Sequence, residues 1–195
     1  MATPVDSSKI KLNQADLLRA KATLIGIKDG FPRAFSRALN RAADGVKTDM
    51  VALSREKYNY KAAVVRKRIT VKRATYSNLE AKTISVGPRV HLTDMLGTRQ
   101  ITTGLSVDVK KSTGRQKIKH GFKNKAQKSK KILAYRRVKT GGTRAGRYPI
   151  EALYAPHPEQ VYNTRENWDR LKAQASERLD KNIKHETDAV LKDLA

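Results

Sequence analysis

The residue types able to do covalent or metal chemistry are few, and they are badly spaced for it. His91, His120, His157 and His185 lie far apart, and none has a second histidine four residues on or a carboxylate at ligand spacing. There is no cysteine, which excludes disulfides and thiolate metal sites. No Gly-x-Ser-x-Gly elbow is present. Gly141 to Gly146 has the glycine spacing of a phosphate loop. Arg147 and Tyr148 then stand where Lys and Ser or Thr would have to reach phosphate and magnesium, so a basic turn is expected there. A DNA-cutting enzyme would need a carboxylate cluster for metal. Acids are sparse before residue 151, and those beyond it are expected on the solvent side of a C-terminal helix. The expectation is a non-enzyme with no catalytic residue, cofactor or metal.

Charge is the chemistry the chain does carry. Its 195 residues hold 42 Lys and Arg against 18 Asp and Glu, a net of +24. Residues 109–150 have 15 basic residues and no acid. Such a block repels itself unless anions neutralise it. The candidate contacts are Lys110, Lys111, Arg115, Lys117, Lys119, Lys123, Lys125, Lys128, Lys130, Lys131, Arg136 and Arg137. They suit phosphate-backbone contact, where each neutralised phosphate adds sequence-independent affinity. They equally suit docking on an acidic protein, and anionic lipid is a third candidate. Only Phe122 and Tyr135 interleave as aromatics, which is thin for base stacking.

The elements that must position these groups follow from periodicity. Residues 1–12 read as a loose arm, and Asn13 as the cap of a helix ending at Asp29-Gly30. Pro32, Phe35, Leu39, Val46, Met50 and Leu53 mark a second helix to Lys57, and residues 62–68 a short third one. The period then falls to two. Strands are expected at Ile69 and Val71, and again from Ile84 to Leu92 with Pro88 at a bend. Residues 100–110 should pair with 115–122 as a hairpin, 123–131 form a mobile loop, and 132–138 a last strand. Asn163 with Glu166 resembles a capping box opening a helix of roughly 45 Å. Its stripe of Trp168, Leu171, Ala175, Leu179, Ile183, Val190 and Leu194 suits packing on another chain or on its own sheet. The fold class is α+β: N-terminal helices, an antiparallel sheet with a basic hairpin, and a long C-terminal helix. The expected organisation is an arm (1–12), a domain (13–162) with its basic region at 110–147, and the helix (163–195). Hydrophobic residues are only 38%, so part of the apolar surface is expected to be buried by assembly. No run of 18 apolar residues is long enough for a membrane span, and the N-terminus lacks signal-peptide features.

Three stretches in order resemble the phage minor tail protein Z family, the tail completion proteins. They are Arg37 to Asp49 continuing to Lys61–Ala74, Gly104 to Lys111 followed by Lys117–Phe122, and Arg147 to Pro156. Ala155 stands where the family tends to have glycine. The resemblance implies a structural virion protein at the head-proximal end of a long tail, in the neck region, assembled in the host cytoplasm. It implies a homo-oligomeric ring, sixfold by the tail's symmetry, needed for tail maturation and head–tail joining. Its implied partners are the tail terminator ring and head–tail adaptor or connector proteins, with the tape measure protein and genomic DNA as further candidates and no membrane. Bare composition also allows a ribosomal or chromatin-like nucleic-acid-binding protein. Another neck protein, such as a terminator or adaptor, is the nearest rival within the virion.

Overall fold

Apolar residues at steps of three and four form the helices that the sequence predicts, and the strands depart from prediction in instructive ways. A computed structural model describes residues 14–126, 131–138 and 149–193. The expected arm (1–12), Leu194 and the glycine-rich turn at 141–147 lie outside the described residues. The fold is α+β, with helices, antiparallel sheets and a long C-terminal helix. The chain divides into two units, residues 1–51, 69–86 and 162–195 in the first, and residues 52–68 and 87–161 in the second.

The first unit contains α1 (Gln14–Thr23), most of α2 (Gly30–Lys57), the hairpin of β1 (Ile69–Lys72) and β2 (Lys82–Ser85), and α5 (Arg165–Lys192). The α5 stripe buries Leu171, Ala175, Leu179, Ile183, Thr187 and Val190. Leu179 and Ile183 pack with Ala20 of α1 and with Phe35, Ala38 and Ala42 of α2. Val190 meets Leu24 and Ala34. From Leu179 to Val190 the stripe therefore lies on helices. Each fully buried Leu or Ile contributes about 1.5–3 kcal/mol. Thr187 satisfies itself by donating to the Ile183 carbonyl at 2.8 Å.

Two details of α5 correct the sequence expectation. Its N-cap is Thr164, in extended conformation and without a side-chain cap bond, so Asn163 is not the cap. Glu186 is not on the solvent side: it is 2% exposed. Arg41 reaches in from α2 with Nη1 2.6 Å from its Oε1, which is what makes the burial tolerable.

Polar residues of α2 hold its neighbours one at a time. Asn40 bonds Ala74 twice, accepting from its N–H at 2.8 Å and donating to its carbonyl at 3.1 Å. Asp44 takes Arg73 Nη2 at 2.9 Å. Asp49 accepts both arms of Arg178, at 2.6 and 3.1 Å. That fork holds the Arg178 guanidinium's pKa above its ordinary value, through the hydrogen bond first. Gly45 lies under the same arginine, because a Cβ there would collide with Arg178 Cδ.

The second unit holds α3 (Ala62–Arg68), two three-stranded antiparallel sheets and most of the short α4 (Glu159–Tyr162). One sheet is β3 (Arg99–Ile101), β4 (Gly104–Val107) and β5 (Gln116–Lys119), in the order β3-β4-β5. The other is β6 (Gly121–Lys125), β7 (Ile132–Arg137) and β8 (Ile150–Ala152), in the order β6-β7-β8. Tyr60, Val65, Leu105 and Ala134 are all at 0% exposure in this unit's core. Tyr60 remains satisfied, its hydroxyl donating to the Pro156 carbonyl at 2.7 Å.

The strand at 100–110 is two strands, with a tight turn at Thr102-Thr103 between them. Gly104 has φ +150°, and a Cβ there would run into the Ile118 carbonyl, so only glycine lets the chain reverse and still pair with β5. The 115–122 strand also breaks in two, at His120 with φ 58°. The strand expected from Ile84 to Leu92 stops at Ser85, and Leu92 is buried in a 3-10 turn, Leu92–Asp94. Pro88 offers no N–H to a ladder, and Arg68 packs against Gly87, whose added Cβ would lie 2.9 Å from Nη1. The loop expected at 123–131 is partly strand, since Lys123 to Lys125 pair with Ala134 to Ile132. Ladder bonds do not need an apolar face. Residues 127–130 lie outside the described residues. Strand β8 went unread in the sequence because it is only three residues long.

Gly45 gives a test of sign. Alanine in mid-helix ordinarily gains about 1 kcal/mol over glycine. Gly45→Ala is expected instead to lower stability, by displacing Arg178 from Asp49. In an Arg178→Ala background the same change should become stabilising. Urea denaturation of the four proteins of the cycle checks this, and additivity would show that Arg178 does not constrain Gly45.

Candidate functional site

The cationic residues are set by strand register. Arg99 lies opposite Ser106, which lies opposite Lys117, and Ile101, Gly104 and Lys119 form the next row. Side chains alternate along a strand. Arg99, Lys117 and Lys119 therefore share one face of the β3-β4-β5 sheet, while Leu105 and Val107 point into the core on the other. Arg115 joins the cationic face, donating Nη1 to the Ser106 hydroxyl at 3.3 Å and to the Gly97 carbonyl at 3.1 Å. Arg99, Arg115, Lys117 and Lys119 are all exposed. Lys117 and Lys119 stand about 7 Å apart along the strand.

The remaining candidates are spread elsewhere. Lys110 and Lys111 are exposed after β4, with Lys110 bridged by backbone to Tyr58. Lys123 is half-buried, its Nζ donating to the Thr98 carbonyl at 2.6 Å. Lys125 is exposed at the end of β6. Lys131 pairs with Asp94 at 2.7 Å and Arg136 with Glu151 at 3.3 Å. Arg137 lies over the Phe122 ring, 5.5 Å from its centroid. Lys128 and Lys130 lie outside the described residues. Among the described residues, Arg99, Lys110, Lys111, Lys117, Lys119 and Lys125 have no carboxylate partner, which leaves their charge available to another molecule. Arg99 was not a sequence candidate. Its signal was present in the alternation with Ile101, which puts it in phase with the lysines across the hairpin.

Charge is unequally shared. The second unit holds 23 Lys and Arg against five Asp and Glu, a net of +18, leaving +6 for the first. Of those five acids, Asp94 and Glu151 are paired as above, and Glu159 lies 3.7 Å from the buried Arg68 and 3.1 Å from His157 Nδ1.

The α5 candidates fall differently. Leu171, Leu179, Ile183 and Val190 are buried within the chain's own first unit. Trp168 is half-buried near the start of α5, with Lys172 Nζ 5.7 Å from its ring centroid. Among the described residues, no three or more His, Asp or Glu side chains converge as metal ligands would.

This arrangement is a polyvalent cationic surface on a paired-strand scaffold. A family model, prophage minor tail protein Z, matches residues 17–194, and the chain belongs to that family. It is thus a structural protein of a phage tail, a virion component that assembles with other virion proteins. No helix among the described residues is long and apolar enough to cross a membrane. No curated protein and no solved structure matches the chain.

His91 reports on this cation-rich setting. Its Nδ1 is buried without a hydrogen-bond partner among the described residues. Burial first, then Lys131 and Arg68, push its pKa below the usual value, with Asp94 opposing. Between the folded value and about 6.5 the unfolded chain binds the extra proton. His91's contribution to stability is therefore full above about pH 6.5 and is lost as pH falls through the folded value. His91→Gln is expected to flatten that part of the urea-midpoint profile between pH 7 and 5. An unchanged slope would remove His91 as its source.

Proposed function

We propose that this protein is the tail completion protein at the head-proximal end of a long phage tail, where a ring of its copies readies the tail for joining to the DNA-filled head. Family membership supports the tail role, and the resemblance supplies the sixfold ring. The tail terminator ring and the head–tail adaptor or connector proteins are its neighbours, with the tape measure protein within reach. The unpaired cationic face of the β3-β4-β5 sheet carries the second half of the proposal: it contacts the backbone of the DNA end. A second copy of the chain cannot neutralise that face, since +18 units repel one another. An acidic neighbouring ring is the competing partner.

The test is native mass by light scattering, with and without short duplex DNA, at low and high salt. A discrete ring, or a monomer that assembles on tail tubes, is expected. Duplex affinity should fall steeply with salt, and Lys117→Glu with Lys119→Glu should reduce the log–log salt slope by about 2. A monomer that neither assembles nor binds DNA would overturn both halves. A ring blind to DNA would assign the cationic face to an acidic protein.

A further inference from the structure

We propose that the outer face of the β6-β7-β8 sheet is a stacking platform for unpaired bases of a single-stranded nucleic acid. The proposal rests on the nucleic-acid reading of the cationic surface above, and adds a ligand that phosphate contacts alone would not distinguish.

Register fixes the two faces of this sheet. Gly121 and Ala134 stand on the inner one, where Gly121 lies against Leu105 and Ala134 is fully buried. Phe122 and Tyr135 are directly opposite each other on the outer one. The ladder runs one residue past β8, with the Leu153 N–H donating to the Ala134 carbonyl at 2.8 Å. Alternation then puts Tyr154 on the outer face as well.

Two ring pairs therefore occupy one sheet face. Phe122 and Tyr135 stack with centroids 5.8 Å apart and planes at 29°. Tyr154 and His91 lie 4.9 Å apart at 32°. Each pair carries a guanidinium: Arg137 is 5.5 Å from the Phe122 centroid and Arg89 is 5.8 Å from that of Tyr154. Phe122, Tyr135 and His91 are half-buried, and Tyr154 is 43% exposed, so ring surface remains open to solvent.

Covering a sheet would account for aromatic residues, but not for arginines laid over their rings on a unit of net +18. The occupant must offer planar rings and negative charge together. Duplex DNA keeps its base faces stacked inside the helix. A second copy of this chain brings the same positive charge. An apolar partner helix gains nothing from the guanidinium groups. A single strand supplies bases for the rings and phosphates for the cations, the combination used by sequence-tolerant sheet platforms. A lowered pKa keeps His91 a neutral ring at pH 7, which suits stacking.

The experiment uses the full chain and two labelled probes of equal length and phosphate count, an oligothymidylate and an abasic oligonucleotide, with affinity read by fluorescence anisotropy at one salt concentration. The oligothymidylate is expected to bind about tenfold or more tighter. Phe122→Leu with Tyr135→Leu should abolish that advantage and leave abasic affinity unchanged, so the abasic probe also reports an intact fold. Equal affinity of the unaltered protein for both probes would overturn the platform while leaving phosphate contact standing. Binding of neither would overturn both. Should the double variant lose abasic binding too, Tyr154→Leu is the deciding variant. A smaller oligothymidylate advantage would support the platform, and an undiminished one would overturn it.

Discussion

Charge that cannot be neutralised within the chain is the constraint on which the rest depends. Five described carboxylates are spent internally: Asp49 on Arg178, Glu186 on Arg41, Asp44 on Arg73, Asp94 on Lys131, Glu151 on Arg136. What remains is a large cationic surplus, most of it in one unit whose sheets spread it over their faces. A surface so loaded is comfortable only beside anions. The fold supplies a paired-strand ladder for those charges, and membership of a phage tail family makes the chain a component of an assembly.

The first unit does a different job. Its core is apolar, formed by one face of α5 against α1 and α2, and its polar contacts are specific. Asn40 and Asp44 lie one turn apart on α2 and Asp49 lies on a different side of it, and each is matched to one partner. Exposed ion pairs contribute little. The Asp49–Arg178 fork is partly buried and bidentate, and it has claimed the space above Gly45. Packing and polar matching together specify how the helices meet.

The helices were legible because a stripe such as Leu171, Ala175, Leu179 and Ile183 is a local signal. The strands were less so. Ile101, Thr103, Leu105 and Val107 keep perfect alternation across a turn, so the period alone could not show the reversal that Gly104 permits. His120 likewise sits in phase with Ile118 and Phe122 yet ends a strand through its left-handed backbone. Glu186 reads as a solvent-facing acid until Arg41, far away in sequence, is placed beside it. The cationic site was visible as composition but not as geometry. Arg99 joined it, Lys123 was drawn partly inside, and Lys131 and Arg136 met their own carboxylates, all through pairings between distant strands.

Gln100 is a joint between the two sheets of the second unit. Its side-chain amide donates to the Gly104 and Gly121 carbonyls at 3.0 and 3.3 Å and accepts the Lys123 N–H at 2.9 Å. One primary amide thus links two backbones where no ladder does. A carboxylate in its place would turn two donors into an acceptor facing carbonyl oxygens and remove both of those bonds. The junction between the two sheets is therefore sensitive to the exchange of one nitrogen for one oxygen in a single side chain.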